Sequence, residues 1–181
     1  MATFRLIHLG NPILRQKSQV VPLKNIKTVS FQKFLDKLSQ TCLKNQGAGI
    51  AAPQVGKNIR VIVVHIDPNN PRYPGRVYFP LTIVINPKLS NLSTKMQEDW
   101  EGDLSVDLRG LVPRPVSCTV TGLDREGKEV TFDLQNDFHA RVFQHEIDHL
   151  DGVMFVDKVE KKESLSTYAM WKKYRKGRNI N

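Results

Sequence analysis

Hydrophobic and polar residues alternate along this chain with two different periods, and the period predicts which segments form helices. Over residues 29–43 the apolar positions recur every three or four residues, which is typical of an amphipathic helix, and Ser30 is available to cap it. The same spacing recurs over Asp137–Leu150 and over residues 164–176. The sequence therefore predicts three helices. The apolar stripe of the last one has three members, Leu165, Tyr168 and Trp171.

Strand-type patterns fill the middle of the chain. Four runs are rich in β-branched and aromatic residues: 59–66, 77–85 with an interruption at Pro80, 116–123 and 129–134. A polar connection separates the last two runs and is typical of a hairpin. Residues 1–26 form an irregular arm, and residues 68–75, with three prolines, look like an insertion. We expect an α+β fold in which mixed or antiparallel sheets surround a central helix, with a further helix at the C-terminal end.

Length and composition limit the class of protein. A chain of 181 residues with 40% hydrophobic and 25% charged residues is typical of one globular domain, which we expect to span residues 1–181. No apolar run approaches the roughly 18 residues of a membrane helix. Cys42 and Cys118 lack the spacing of a disulfide framework or a thiolate zinc site. The first residues resemble neither a signal nor a transit peptide, so we expect a cytoplasmic protein.

The positive charge is concentrated at the C-terminal end. Residues 158–181 contain eight basic and two acidic residues, so they supply +6 of the net charge of +9. Such a tail is either a solvated end or a patch that binds RNA or a membrane surface.

The most specific chemical signal is an HExxH pattern, His145 to His149, in the second predicted helix. Because residues four apart lie on one helix face, both imidazoles can hold one metal ion, and Glu146 lies beside them to move a proton. A third ligand is required, and the candidates are Glu101 and Asp103. Spacing alone favours a turn role for Asp103. A carboxylate there would complete a set that suits Zn²⁺ or Fe²⁺.

Residues 47–52, GAGIAA, superficially match the dinucleotide fingerprint. They follow a helix instead of a strand, and Pro53 comes directly after them, so we do not expect a phosphate site. The glycines still allow a backbone to approach a ligand closely, and Gln54 offers a neutral donor to an oxygen.

Three segments together resemble the motifs of the peptide deformylase family. Residues 47–54 (GAGIAAPQ) are similar to GxGxAAxQ, residues 101–105 (EGDLS) to EGCxS, and residues 144–152 (QHEIDHLDG) to QHExDHLxG. The order and spacing agree as well. Two departures stand out: Asp103 occupies the place of the family's metal-binding Cys, and residues 105–110 (SVDLRG) are one residue shorter than the family's SVPGxRG.

The resemblance implies a hydrolase that removes the formyl group from N-formylmethionine of nascent peptides and releases formate. The implied cofactor is Fe²⁺, with Zn²⁺ or another divalent metal as alternatives, and the implied ligands are Asp103, His145 and His149. Glu146 would take a proton from the attacking water and return it to the leaving amine. A carboxylate carries the same formal charge as a thiolate, so aspartate is a workable donor.

The resemblance also assigns residues to the substrate. Gln54 and the backbone N–H of Leu104 would bind the developing oxyanion. Four residues would align the peptide and shape its methionine pocket: Ala48, Gly49, Val142 and Phe138.

For partners, the resemblance implies the ribosome, which relatives contact through a C-terminal helix, with Tyr168 and Trp171 available for RNA. No membrane partner is expected, and the oligomeric state stays open. The alternative function is that of a diverged relative with weak or no activity, acting as another amidase or as a ribosome- or RNA-associated binding protein.

Overall fold

Four α-helices and eight strands follow one another along residues 3–174, the part of the chain that the computed structural model describes. The helices are α1 (Leu23–Ile26), α2 (Val29–Lys44), α3 (Asp137–Leu150) and α4 (Tyr168–Tyr174). The strands are β1 (Gly49–Ala51), β2 (Val61–Ile66), β3 (Phe79–Ser90), β4 (Met96–Gly102), β5 (Leu108–Pro115), β6 (Cys118–Leu123), β7 (Glu129–Leu134) and β8 (Ser166–Thr167). All pairings between these strands are antiparallel, and the predicted α+β class is confirmed. Within residues 3–174, no helix has the length and apolar content that crossing a membrane requires.

The larger sheet has the strand order β1-β2-β3-β6-β7 and is covered on both faces. Ile62 and Val64 of β2 belong to the cluster formed with Phe143 of α3, whereas Val61 and Val63 belong to the cluster formed with α2. Because both faces of β2 are buried, its sequence is a continuous apolar run instead of an alternating one. One face of the sheet therefore packs against α3.

The smaller sheet has the order β4-β5-β8 and lies beside α3. A third cluster, with Leu14, Val112 and Phe155 among its members, fixes this sheet to the turns that follow α3. Helix α3 contacts strands of both sheets, which is the central position that the sequence predicted for it.

The N-terminal arm is more ordered than predicted. It contains a 3-10 turn at Pro12–Arg15, capped by Asn11, and the short helix α1. Upstream of these, the N–H of Ile7 donates to the carbonyl of Gln54 at 2.8 Å, and the N–H of Leu9 donates to the carbonyl of Ser105 at 2.9 Å. The arm thus ties together two loops that are distant in the sequence.

Two predicted boundaries are wrong for reasons of hydrogen bonding. Helix α2 is capped by Thr28, whose hydroxyl accepts from the N–H of Phe31 at 3.4 Å, so Ser30 lies inside the first turn. The strand predicted to end at residue 85 continues to Ser90 as β3, because the second half of β3 leaves β2 and pairs with β6. The register shifts next to Pro87, where a backbone N–H is missing.

The last helix begins later than predicted, because Ser166 and Thr167 pair with β5 as strand β8. Leu165 therefore belongs to the third cluster and not to a helical stripe. Trp171 is only 9% exposed and packs edge-on against Trp100, while Tyr168 stacks on Trp171. The prediction that Trp171 is available for RNA is therefore wrong.

Residues 175–181 lie outside the described residues. They include the predicted end of the last helix and three of the basic residues of the tail, Arg175, Lys176 and Arg178. The single domain over residues 1–181 accordingly stays a prediction.

Candidate metal centre

Helix α3 presents two histidines on the face that turns away from the larger sheet. Its N-terminus is capped by Asn136, whose Oδ1 accepts from the N–H groups of Phe138 and His139 at 3.1 Å each. Phe143 and Ile147 anchor the helix in the core, which leaves His145 and His149 directed towards the end of β4. The two imidazole rings lie edge to face with their centroids 5.0 Å apart.

Asp103 follows β4 and completes a group of three potential ligands. Its Oδ2 lies 3.6 Å from Nε2 of His145 and 3.0 Å from Nε2 of His149. Donor atoms bound to one tetrahedral Zn²⁺ at about 2.0–2.1 Å lie about 3.3 Å from one another. Among residues 3–174, neither Oδ2 of Asp103 nor Nε2 of His149 has a hydrogen-bond partner, although both atoms are buried. The donor set and its spacing thus fit a divalent cation.

Glu101 sets the orientation of His145. Its Oε2 accepts from Nδ1–H of His145 at 2.9 Å, which leaves Nε2 free to act as a ligand. The same carboxylate accepts from Nε and Nη2 of Arg114, at 2.7 and 2.9 Å, and from Nη1 of Arg141 at 2.8 Å. Burial raises the pKa of Glu101, but the hydrogen bonds and charge of Arg114 outweigh burial and lower that pKa far below its usual range. Glu101 is therefore ionised and can only accept.

The other oxygen of Asp103 is held by the protein. Its Oδ1 accepts from Nε2 of Gln54 at 2.8 Å and from the N–H of Ser105 at 2.6 Å, which turns Oδ2 towards the histidines. Burial raises the pKa of Asp103, but the charge of His149 and the contacts with His145 lower it by more. The pKa of Asp103 therefore lies well below its usual range. For His145, burial lowers the pKa, and the carboxylates of Asp103 and Glu101 raise it well above its usual value.

Glu146 lies beside Asp103 and the two histidines. It is buried, and its Oε2 has no hydrogen-bond partner among residues 3–174. Burial raises the pKa of Glu146 to about 7, against the opposing charges of His145 and His149. A Cβ on Gly49 would lie 2.5 Å from Oε1 of Glu146, so glycine at this position is what lets the carboxylate reach the strand. A carboxyl group with these properties is suited to exchange protons near neutral pH.

A cleft opens beside these groups. The structure brings the residues assigned to the substrate to its walls: Ala48, Gly49, Gln54, Leu104, Phe138 and Val142. It also brings Arg72, Tyr73, Trp100 and Arg141 there, which the sequence reading did not assign. The sequence did contain a signal for Arg141, because it is a charged residue one helical turn before His145 on a buried helix face. The loop over residues 67–78 contributes Arg72 and Tyr73 to these walls, and the side chain of Asn70 joins the loop to the carbonyl of Gln46 at 3.0 Å.

Comparison with known proteins identifies relatives of this chain. The family model described as polypeptide deformylase matches residues 3–165. Peptide deformylase 2 of a Nostoc species is 48% identical over 156 residues, which are 86% of this chain and 85% of that protein. The class I type b peptide deformylase of Acinetobacter baumannii, solved with Met-Ala-Ser bound, superposes with a TM-score of 0.84 at 35% identity, covering 87% of this chain and 99% of that one. A peptide deformylase from Synechococcus elongatus in complex with actinonin gives 0.74 at 31%, covering 89% and 81%.

Loss of the Glu101 charge is expected to destabilise the fold. Glu101→Gln leaves the buried guanidinium of Arg141 without a carboxylate and leaves that of Arg114 with Asp148 alone, and we expect the free energy of unfolding at pH 7 to fall by about 3 kcal/mol. Urea denaturation in the presence of a chelator measures this without a contribution from bound metal. Glu98→Gln is the matched control on the same strand: Glu98 pairs with the exposed Lys161, and its loss should cost less than about 1 kcal/mol.

The difference in stability between wild type and Glu101→Gln should also depend on pH. The pKa of Glu101 is lower in the folded than in the unfolded chain, so its stabilisation is present above the unfolded value of about 4.3 and is lost as the pH falls towards the folded value. The difference between wild type and Glu101→Gln should therefore shrink below about pH 4, by up to about 1.4 kcal/mol per pH unit. A difference that stays constant from pH 7 to pH 3 contradicts the assignment.

Proposed function

The chain belongs to the polypeptide deformylase family, and we propose that it removes the formyl group from N-formylmethionyl nascent peptides at the site of Asp103, His145 and His149. The family membership confirms the resemblance found in the motifs. The observation that supports this site most directly is the convergence of two imidazole nitrogens and one carboxylate oxygen, all buried, beside Glu146 at the wall of a cleft.

We propose Fe²⁺ as the ion, with Zn²⁺ or another divalent metal as alternatives. Two imidazoles and one carboxylate suit both ions. A bound divalent ion supplies a Lewis acid that polarises the formyl oxygen and makes water a stronger nucleophile. Asp103 would contribute one anionic oxygen in place of the family's thiolate, and Gln54 and Ser105 hold that carboxylate in position.

The proton transfers are assigned to Glu146. Its carboxylate accepts a proton from the water that attacks the formyl carbon, and the same group then donates this proton to the nitrogen of the leaving amine. The raised pKa of Glu146, about 7, favours both transfers, since the group gains and loses a proton at similar cost at neutral pH. Release of formate and a free methionine amine completes the reaction.

The developing oxyanion is assigned to two neutral donors. Nε2 of Gln54 carries two hydrogens, of which Asp103 accepts one, so a second remains to be donated. The backbone N–H of Leu104 is the other donor. Both residues line the cleft, and preorganised donors of this kind stabilise charge that forms in the transition state.

The peptide is proposed to bind along β1. This strand lies at the end of the larger sheet and pairs only with β2 within residues 3–174, so its other edge is open to an added strand. Ala48 and Gly49 would provide the backbone contacts, and Phe138 and Val142 would surround the methionine side chain. Because nascent formylated chains are the proposed substrates, we propose the cytoplasm as the place of action.

Removal of the proton-transferring group should slow turnover strongly but leave metal binding unchanged. We expect Glu146→Gln to lower the rate of formate release from a formyl-Met peptide by at least about 10²-fold, the lower range for acid–base catalysis. Metal content, measured by atomic spectroscopy, should stay equal to that of wild type. Glu160→Gln, at an exposed position, is the control. A Glu146→Gln variant as fast as the parent contradicts the proposed mechanism.

Metal retention should depend on Asp103. Asp103→Ala leaves only two imidazoles, and we expect metal affinity to fall sharply. Asp103→Cys should retain metal with a changed preference, because thiolate is the softer donor. Competition with a chromogenic chelator measures both, with Asp107→Ala as the control. Full occupancy in Asp103→Ala would remove Asp103 from the ligand set and favour a diverged protein of weak activity.

The basic tail is proposed to bind ribosomal RNA. Lys172 and Lys173 are exposed on α4. Because Trp171 is part of the fold, reversing charges is a cleaner test than deleting the segment. We expect reversal at Lys172, Lys173, Arg175 and Lys176 to weaken ribosome cosedimentation and reduce its dependence on salt, with hydrolysis of free peptides unchanged. The control reverses four exposed lysines elsewhere: Lys24, Lys27, Lys33 and Lys44. Equal binding by both variants contradicts this role.

A further inference from the structure

The carboxylate of Asp103 differs from a thiolate in the number of atoms that it can offer to an ion. A thiolate has one donor atom, whereas both oxygens of a carboxylate can bind the same cation. Together with His145 and His149, a carboxylate that used both oxygens would supply four donors, the closed set of a structural zinc site. A hydrolytic site has three protein donors and leaves one position to water. In such a site, the second oxygen of Asp103 has to stay away from the ion.

Two hydrogen-bond donors occupy one oxygen of Asp103. Its Oδ1 accepts from Nε2 of Gln54 at 2.8 Å and from the N–H of Ser105 at 2.6 Å. An ionised carboxylate has about four lone-pair sites, two on each oxygen, so these two bonds use both sites of Oδ1. Oδ2 has no hydrogen-bond partner within residues 3–174, and it lies 3.0 Å from Nε2 of His149. One oxygen is therefore fully engaged by the protein and the other is available to an ion.

The amide of Gln54 is itself held in one orientation. Its Oε1 accepts from the N–H of Ala51 at 2.8 Å, and the residue is only 2% exposed. Reversal of the amide would set Nε2 against the N–H of Ala51 and Oε1 against the carboxylate of Asp103, so like groups would face each other at both ends. The contact with Ala51 therefore directs Nε2 of Gln54 to Oδ1 of Asp103.

The N-terminal arm fixes the two donors relative to each other. The N–H of Ile7 donates to the carbonyl of Gln54, and the N–H of Leu9 donates to the carbonyl of Ser105. Gln54 and Ser105 are far apart in the sequence, and the arm joins them through residues only two positions apart. A rotation of the carboxylate that brought Oδ1 to the ion would thus break bonds to a pair of donors that the fold holds in place.

We propose that Gln54 is a positioning residue that restricts Asp103 to one metal-binding oxygen and so keeps a coordination position open for water or substrate. The proposal rests on the proposed function, since it concerns the ion assigned to that site. It is compatible with a role of Gln54 towards the oxyanion, because Nε2 carries two hydrogens and Asp103 accepts only one. Without Gln54, Oδ1 regains a lone pair beside a divalent cation and binds it as a fourth protein donor.

The test combines two substitutions in one cycle. Gln54→Leu removes the donor from the aspartate, and the same substitution in Asp103→Cys removes it beside a ligand that has a single donor atom. Any general effect of Gln54→Leu on the fold or on hydrogen bonding in the cleft is common to both backgrounds, so the difference between them reports on the second oxygen. The four proteins are loaded with Co²⁺, which binds imidazole and carboxylate and whose visible absorption bands respond to its ligands.

Formate, the product of the proposed reaction, is the probe for the open position. It is titrated into each Co²⁺-loaded protein, and the change of the absorption bands gives its dissociation constant. In the Asp103→Cys background, Gln54→Leu should raise this constant by up to about 10-fold, the range for one lost hydrogen bond. In the Asp103 background, the increase should be at least about fivefold larger, because formate then also competes with Oδ1 for the ion. The cobalt content of Gln54→Leu should equal that of wild type.

A second measurement needs no variant and decides the proposal if Gln54→Leu fails to fold. Crystals of the wild type loaded with Zn²⁺ should show Oδ2 of Asp103 at about 2.0–2.2 Å from the ion. Oδ1 should lie outside bonding distance and keep its contact with Gln54. In crystals of Gln54→Leu, both oxygens should bind the ion. A wild-type ion bound by both oxygens overturns the proposal.

The outcomes separate this proposal from the proposed function. Equal increases of the formate dissociation constant in the two backgrounds overturn the role of Gln54 and leave the proposed function intact. Absence of formate release from a formyl-Met peptide contradicts the proposed function instead, and the cobalt titration still decides the role of Gln54, because it needs no turnover. A wild type that binds neither Co²⁺ nor Zn²⁺ overturns both.

Discussion

The rest of the site depends on the hydrogen bonds that the carboxylate of Glu101 accepts. It is buried, and it accepts hydrogen bonds from Arg114, Arg141 and His145, so it joins β4 and β5 to α3. A buried carboxylate is costly unless it is paired, and here three cationic or polar partners satisfy it. The same contacts fix the ring of His145 and place Asp103, two residues further on, opposite the histidines. Stability and ligand geometry therefore have one physical origin.

The exchange of a thiolate for a carboxylate is accommodated by neighbours that hold one oxygen and release the other. Gln54 and the N–H of Ser105 both bind Oδ1 of Asp103, and Oδ2 is left facing the two histidines, where the proposed metal would bind. This use of Gln54 couples the metal ligand to a residue proposed to bind the oxyanion. Oxygen is a harder donor than sulfur and cannot be oxidised as a thiolate can, so in the proposed site the carboxylate would change the electronic character of the ion while supplying the same formal charge as a thiolate.

The surroundings of the cleft depend on segments that are remote in the chain. The loop over residues 67–78 supplies Arg72 and Tyr73, strand β5 supplies Arg109, and α4 supplies Trp171. Their aromatic rings enclose the guanidinium of Arg109 and hold α4 against the protein. The C-terminal helix is thus part of the wall beside the cleft, and its exposed residues include Met170, Lys172 and Lys173.

The sequence by itself determined what local periodicity encodes. The 3.6-residue repeat predicts α2 and α3, and the four-residue spacing places His145 and His149 on one face. The three motifs identify the family. Tertiary structure alone decided which partners meet across long separations: Glu101 and His145 are 44 positions apart, and their contact depends on the packing of β4 against α3. The late start of α4 and the enclosure of Arg109 follow from pairing with β5. No local pattern contains these contacts, because each requires a surface that exists only after the sheets have formed.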